Sequence, residues 1–559
     1  VNVKAAFVLF VVASTTLTAQ IDDLADSPWA APMWDALERF RDDPICLPCI
    51  NATDLTVLPG IGRHTSSRII ALVRSGVRDL DFIADSLCLS LDQRIILNAC
   101  VQTDCSCGPT LKYALARTRL RVVDGITPDK LIRVDVDSDV GRIGGFVRNV
   151  YDSTTYGLWT RLTVGPMSLF AGNYTIRAGQ GLLLGGGSFA RSALQASASA
   201  DIAPHIRPWT STWLDAAQLG VGVSYSDSVA GSPTDIVVAV ARRATLTSSY
   251  LHFNVAGSVS VGSSTFGGTA YTNAFDKGFS FSTETVVDGA TVRSEIMLDT
   301  ALNSGIVVSA RGNKCIASVR WLHPQLHSPF GASPSASSIV ANNAGLTLGV
   351  QSSLHLRGMK RPLQLESLID LHSTLTNSYG RPLPARGIDI LVDAVQPISK
   401  QTSFAARLRF EREEDGLREP DTDKTTMQLL TRLTARGDVT VQASPTVRLR
   451  MRVDLRFRSI ETGMLMFVDA MWQPSEHITV RHRTTMFRAA SIDVAGYTAE
   501  LETDGSMRTF VGSGTGTHSI TTLRFEPWSG VALGIAYSTT VRNDITTSSG
   551  AVQLDARLR

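Results

Sequence analysis

No stretch of about eighteen consecutive apolar residues occurs in this chain, which excludes a single-helix membrane anchor. Signatures of catalysis are missing as well: there is no Gly-x-Ser-x-Gly elbow, no His-Glu-x-x-His and no phosphate-binding Gly-x4-Gly-Lys. His323 and His327 have ligand-like spacing, but Pro324 prevents the helix that would align them. Asp135, Asp137 and Asp139 open like a calcium loop, yet Phe146 stands where the twelfth-position Glu belongs, so they read as the polar face of a strand. The expectation is a protein that is not an enzyme and holds no cofactor or metal.

Charge of one sign is also lacking, since the formal net charge is +2 across 559 residues. Residues 21–110 contain no lysine, and their thirteen acids outnumber seven arginines. Only 51–78 is locally basic, with Arg63, Arg68, Arg74 and Arg78 against Asp54. Cysteine is almost absent from the rest of the chain, where Cys315 stands alone, while Cys46, Cys49, Cys88, Cys100, Cys105 and Cys107 crowd into this one stretch. An even number in a compact exported domain reads as up to three disulfides of open connectivity. A redox pair Cys46–Cys49 lacks a thioredoxin-like surrounding pattern, and zinc held by Cys46, Cys49, Cys105 and Cys107 would be out of place outside the cytoplasm.

What is present starts with "VNVKAAFVLFVVASTTLTAQ": one positive charge at Lys4, an apolar core from Ala5 to Ala13, and a small or polar exit. This is the layout of a secretory signal peptide, too short in its apolar core to span a bilayer. Residues 1–20 are therefore expected to be a signal peptide, 21–110 a small cysteine-rich all-α domain in the periplasm, and 111–559 a different architecture.

That architecture shows most clearly in "TVRLRMRVDLRFRS", Thr446 to Ser459. Val447, Leu449, Met451, Val453, Leu455 and Phe457 alternate with Arg448, Arg450, Arg452, Asp454, Arg456 and Arg458, the period of a strand with one apolar and one charged face. The pattern suits a membrane barrel, apolar toward lipid and polar toward the lumen. It returns in Ser403–Glu413, Gly463–Trp472, His477–Arg488, Ile520–Glu526 and Gly530–Arg542. Pro397, Pro445, Pro474 and Pro527 sit in short turns between such segments, whereas "EREEDGLREPDTDK", Glu411 to Lys424, reads as a long polar loop. Short turns on one rim and long loops on the other are the asymmetry of outer-membrane barrels. We expect a mainly β fold: a large antiparallel transmembrane barrel of about 14–18 strands in bacterial outer-membrane lipid, closed by the final strand. Its luminal Arg448, Arg450, Arg452, Arg456 and Arg458 would favour a polyanion.

Within the small domain, "CINATDLTVLPGIGRHTSSRIIALVRSG", Cys49 to Gly76, places Leu55 and Leu58 inward, breaks at Pro59, turns at Gly60-Ile61-Gly62 and restarts a helix near Arg63. It resembles the helix-hairpin-helix unit of competence-type DNA receptors and many DNA repair enzymes. The resemblance implies phosphate contacts from Gly60, Ile61, Gly62, Arg63, His64, Thr65 and Arg68, independent of base sequence. The second hairpin of the competence-type domains would fall near Ser86–Cys100, which has no Gly-x-Gly, so the DNA binding implied is weak.

"AGNYTIRAGQGLLLGGGSFARS", Ala171 to Ser192, carries a Gly-Asn-Tyr-x-x-x-x-Gly-Gln-Gly-Leu core. This core resembles a segment of large exported proteins that join a helix-hairpin-helix to an outer-membrane barrel. Physically its glycines mark either a sharply curved strand or a loop folded into the lumen. The function expected is capture of DNA and assistance of its passage across the envelope. The alternative is an anion-selective or structural barrel whose helical domain plugs the pore or docks a periplasmic protein partner.

Overall fold

The computed structural model describes most of residues 44–103 and the strands and many of the turns of 111–558. Residues 1–43, 104–110, 186–202, 210–216, 329–341 and several shorter stretches lie outside the described residues, and the proposed signal peptide lies there too.

Strands dominate because apolar and polar side chains alternate along nearly every segment after Leu111. A single antiparallel sheet of 26 strands results, of which Leu184–Gly185 and His205–Pro208 pair only with the end of Met167–Ala178. The other 24 close a ring. Leu111–Val123 pairs with Ile126–Ser138 on one side and with the last strand, Ile545–Leu558, on the other, Ala114 opposite Leu558 and Val123 opposite Ser549. The sequence estimate of 14–18 strands was too low. The first half of the barrel is stitched by very short connections such as Gly165-Pro166 and Gly262-Ser263, and its fainter alternation hid them.

Inside and outside follow the alternation. Leu449, Met451, Val468, Ile132, Val134 and Phe281 are exposed on the outer surface, while Arg450, Arg452, Asp454, Arg133 and Asp135 are buried on the inner one. Exposed aromatics gather near the two strand ends: Phe266, Phe404, Trp472, Phe525 and Trp528 toward one rim, Tyr156, Phe253, Phe279, Trp321 and Phe457 toward the other. Such girdles sit at the two membrane interfaces.

Antiparallel pairing sends successive connections to alternate rims. Pro397, Pro445, Pro474 and Pro527 all fall at the rim that also carries the two ends of the ring. Most connections there are very short, 355–362 being the longest, whereas 179–217, 323–342, 374–385 and 490–513 all belong to the opposite rim. Glu411–Arg418 is not loop, as the sequence suggested, but the far end of the strand Thr402–Arg418; only 419–424 connects.

Ahead of the barrel, the described residues include the helices α1 (Arg63–Arg74), α2 (Leu80–Ser86) and α3 (Leu91–Cys100). Asp79 caps α2 by accepting the N–H groups of Asp81 (2.9 Å) and Phe82 (3.2 Å). Leu55, Leu58, Ile61, Ile69, Ile70, Val73, Ile83 and Leu97 form the shared core. A two-residue parallel pairing of Ile45–Cys46 with Val101–Gln102 draws the two ends of this unit together. Cys46 is disulfide-bonded, but Cys100 is a thiol packed in that apolar core, so the six cysteines do not make three bridges. Cys88, Cys105 and Cys107 lie outside the described residues, as does the side chain of Cys49.

Candidate functional site: the barrel lumen

Barrels of about 22 strands already enclose more space than their own side chains fill and carry plugged lumens. Here, among the described residues, three pieces of chain lie against the inner wall.

The first piece is the glycine-rich segment, which takes the folded-in course of the two its sequence allowed. Met167–Ala178 pairs with Ser153–Val164 as far as Gly172 and with Gln218–Val229 as far as Tyr174, and from Tyr174 to Arg177 it pairs with His205–Pro208. Gly172 (φ +94°), Gly179 (+63°) and Gly181 (+89°) supply left-handed backbone along this departure. Tyr174 is buried, its hydroxyl 3.2 Å from the Val240 carbonyl, and the Asn173 side chain accepts the Leu158 N–H at 2.9 Å. Leu182 and Leu183 then pack with Tyr271, Met297, Val307, Leu322 and Leu326.

The second piece is a hairpin, Gly496–Thr503 with Ser506–Gly512, folded in from the rim opposite the two ends of the ring. Arg483 of the wall donates to the Ala499 carbonyl (2.7 Å) and to Thr498 Oγ1 (3.1 Å). Glu500 meets His518 at 2.5 Å, both side chains buried. The Phe510 ring stacks on His518 with centroids 4.4 Å apart and meets Phe487 edge-on at 5.3 Å. Thr503, near the hairpin tip, donates to Gln553 at 2.8 Å. Close approach is possible because Gly496 carries no Cβ; one there would stand 2.4 Å from the Leu465 Cβ.

The third piece is the helical unit. Arg311, inward on the strand Ser304–Arg311, donates to Gln93 of α3 at 3.3 Å. Ala499 of the inserted hairpin joins the apolar core of the helices. The hairpin thus touches the wall and the helical unit at once.

The wall itself is an arginine–carboxylate lattice. Arg117 pairs with Asp555, Arg142 with Asp135, Arg148 with Asp129, Arg407 with Asp393, Arg409 with Asp389 and Arg436 with Asp454. Arg450, Arg452 and Arg483 surround the Phe467 ring at 5.4, 5.2 and 4.3 Å from its centroid. The aspartates 135 and 137 are thus a polar strand face paired to arginine, Arg161 reaching Asp137 at 3.3 Å.

The five arginines expected to contact a polyanion face inward but are already engaged. Arg450 (3.0 Å) and Arg452 (2.8 Å) share Asp438, Arg456 lies 3.6 Å from Asp454, Arg458 pairs with Asp493, and Arg448 is only 3 % exposed. Most of these pairs join an inward arginine to an inward aspartate of its own or an adjacent strand, as Arg450 and Arg452 are joined to Asp438, so much of the charge is neutralised within the wall.

Of the phosphate-binding set, Gly60 and Gly62 lie outside the described residues, as do the side chains of Arg63 and His64. Ile61 does not offer its amide: that N–H donates to the Leu58 carbonyl at 3.2 Å and the side chain is buried. Thr65 is half-buried, and Arg68 on α1 is exposed. Sequence reasoning passed over Glu295, Phe467, Arg483 and the inserted hairpin. The hairpin's residues alternate like those of a wall strand, so only the pairing partner tells them apart.

No protein-family model matches the chain, and no curated protein matches it. Among solved structures it is similar to the siderophore receptor PirA from Pseudomonas aeruginosa, at 7% identity over 81% of this chain and 82% of that one, TM-score 0.40. It is also similar to the copper transporter OprC, at 7% identity over 81% of each chain, TM-score 0.41. OpdK of Pseudomonas aeruginosa with vanillate matches at 8% identity over 80% of this chain and 97% of that one, TM-score 0.30. At such identities and scores these likenesses assign no function. The closed antiparallel ring, its apolar outer band and its aromatic girdles define the class by themselves: this chain is an outer-membrane β-barrel.

Proposed function

We propose that this protein is a gated, non-enzymatic outer-membrane channel whose lumen is closed at rest by its own chain. The observation that carries the reading is the insertion of the hairpin 496–512, bound to the wall through Arg483 and to the helical unit through Ala499. A barrel serving only as a structural shell has no use for a wide ring refilled by separate pieces. Planar-bilayer recording of the full-length protein tests it. Rare, large openings that become frequent in urea too dilute to unfold the barrel are expected; a membrane that stays silent throughout would refute the reading.

A finer reading concerns the cargo. Arg68, Arg74 and Arg78 are exposed on and just after α1, a helix with no acidic residue. They support sequence-independent contact with the phosphates of DNA by a helical unit facing the periplasm, as the helix-hairpin-helix resemblance implies. The affinity would be low and would fall steeply with salt. Titrating duplex DNA into the full-length protein, and into a variant with Arg68, Arg74 and Arg78 each changed to Glu, decides it. Equal binding by the two proteins, or none at low salt, removes DNA as the cargo.

A further inference from the structure

Buried carboxylates on the inner wall are typically met by arginine, as Asp135, Asp370, Asp438, Asp454, Asp469 and Asp555 are. Glu295, on the strand Ala290–Asp299, is different. It is fully buried, and among the described residues no cation pairs with it. Its Oε2 instead accepts the backbone N–H of Gln180 (2.6 Å) and of Leu182 (3.2 Å), and the Leu183 N–H and the Ser280 hydroxyl face the same carboxylate.

Those amides belong to the segment that left the wall after Tyr174. Five wall strands separate Met167–Ala178 from Ala290–Asp299, yet Gly179–Leu184, whose Leu184 pairs back on Ala178, is a hairpin strap that reaches inside the ring from the end of the one to Glu295 of the other. The Gln180 side chain fastens it further, donating to the Val307 carbonyl at 3.0 Å and accepting from Ser309 at 2.9 Å. Leu182 and Leu183 are its apolar wedge. The Gly-Gln-Gly-Leu core thereby acquires a physical account. The glycines provide left-handed turns and space, since a Cβ on Gly179 would meet the Glu295 carboxylate at 2.9 Å. Gln180 provides the side-chain anchor and Leu182 the wedge.

We propose that Gly179–Leu184 is a movable strap closing one sector of the lumen and that Glu295 is its latch. The inference rests on the gated-channel reading and names the part that moves. An arginine pair within the wall is indifferent to the lumen, because both partners stay when the lumen opens. Glu295 is not: its donors leave with the strap, and the exposed carboxylate then regains water. That hydration offsets the lost burial of Leu182 and Leu183, which places closed and open arrangements close in free energy.

Bilayer recordings of the full-length protein test the latch. In Glu295→Gln the charge is lost and an amide NH2 competes with the strap's N–H donors, so openings should become about tenfold more frequent. In a Gln180→Cys, Ser309→Cys double variant that keeps Glu295, a short bis-maleimide bridge should suppress openings, while a one-ended maleimide should not. This second arm remains decisive if Glu295→Gln fails to fold. Openings that persist unchanged after bridging, confirmed by mass spectrometry, overturn the strap and leave the channel intact. Silence in every variant, including one with the 496–512 hairpin loosened, overturns the channel reading itself.

Discussion

Arg320 and Asp370 form a two-pronged ion pair, Nη1 to Oδ1 at 2.7 Å and Nη2 to Oδ2 at 2.9 Å, although a whole strand lies between theirs. The guanidinium lies across Asn343–Leu354, where Asn343 accepts from Nε at 2.7 Å and Thr347 donates to the same carboxylate at 2.6 Å. Gly345 makes the crossing possible, as a Cβ there would be 2.5 Å from the Arg320 Cζ. Asp370→Asn should cost about 3–5 kcal/mol, because it leaves a buried guanidinium without its counter-charge. Replacing both residues by apolar ones of similar volume should cost much less. Urea midpoints of the folded barrel in lipid vesicles measure both.

Val468 lies in the middle of the strand Glu461–Ser475 and is 50 % exposed on the outer face, with Phe467 and Asp469 buried on the inner one. Val468→Arg should destabilise the barrel in lipid by about 2–4 kcal/mol, the cost of a cation near the bilayer midplane. The same change at the rim residue Ile460, 97 % exposed, should cost about 1 kcal/mol or less. Heat-modifiable gel mobility after refolding into vesicles reports the difference.

Asp276 sits in a connection at the rim opposite the two ends of the ring and accepts hydrogen bonds from Tyr271, Thr300 and His327. Burial alone would push its carboxyl up, but the hydrogen bonds from Tyr271, His327 and Thr300 outweigh it and hold the group below the ordinary carboxylate range. A lowered folded-state value means that the anchoring is fully present above the usual Asp pKa of about 3.9 and is lost as pH falls through the folded value. Backbone exchange at 323–328, measured by mass spectrometry, should be constant between about pH 8 and 5 once corrected for intrinsic rates. It should rise only in stronger acid, and Asp276→Asn should raise it between about pH 5 and 8, the difference from the natural protein vanishing in stronger acid.

The hairpin depends on Gly496. Gly496→Val brings a branched side chain against Leu465 and should unseat Gly496–Gly512 from the wall without disturbing the ring, whose pairing bypasses it. Increased proteolysis between 496 and 512 with unchanged gel mobility of the barrel is the expected outcome. A barrel that fails to refold would show that the hairpin is part of the wall's stability.

The barrel was legible because a lipid-facing wall imposes a period of two on the chain. Arg448 to Arg458 announce their own inside and outside, and four prolines announce their shared rim, Pro445 in a turn and Pro397, Pro474 and Pro527 in the strand ends beside one. Strand number was not legible, since short connections such as Gly165-Pro166 and Gly262-Ser263 leave almost no mark between segments of faint alternation. Nor was the state of the luminal arginines: alternation fixes the side of the wall on which Arg450 lies, but not that Asp438 lies beside it.

Sequence alone thus determined the two faces of the wall, the direction of its turns and the apolar stripe of α1, all of which arise from local periodicity. Only the tertiary structure decided what fills the ring. Glu295 is 115 residues from Gln180, and Arg483 meets Ala499 only because a loop folds inward. Such contacts depend on ring closure, which brings distant strands to face one another across a shared interior and which no local pattern encodes.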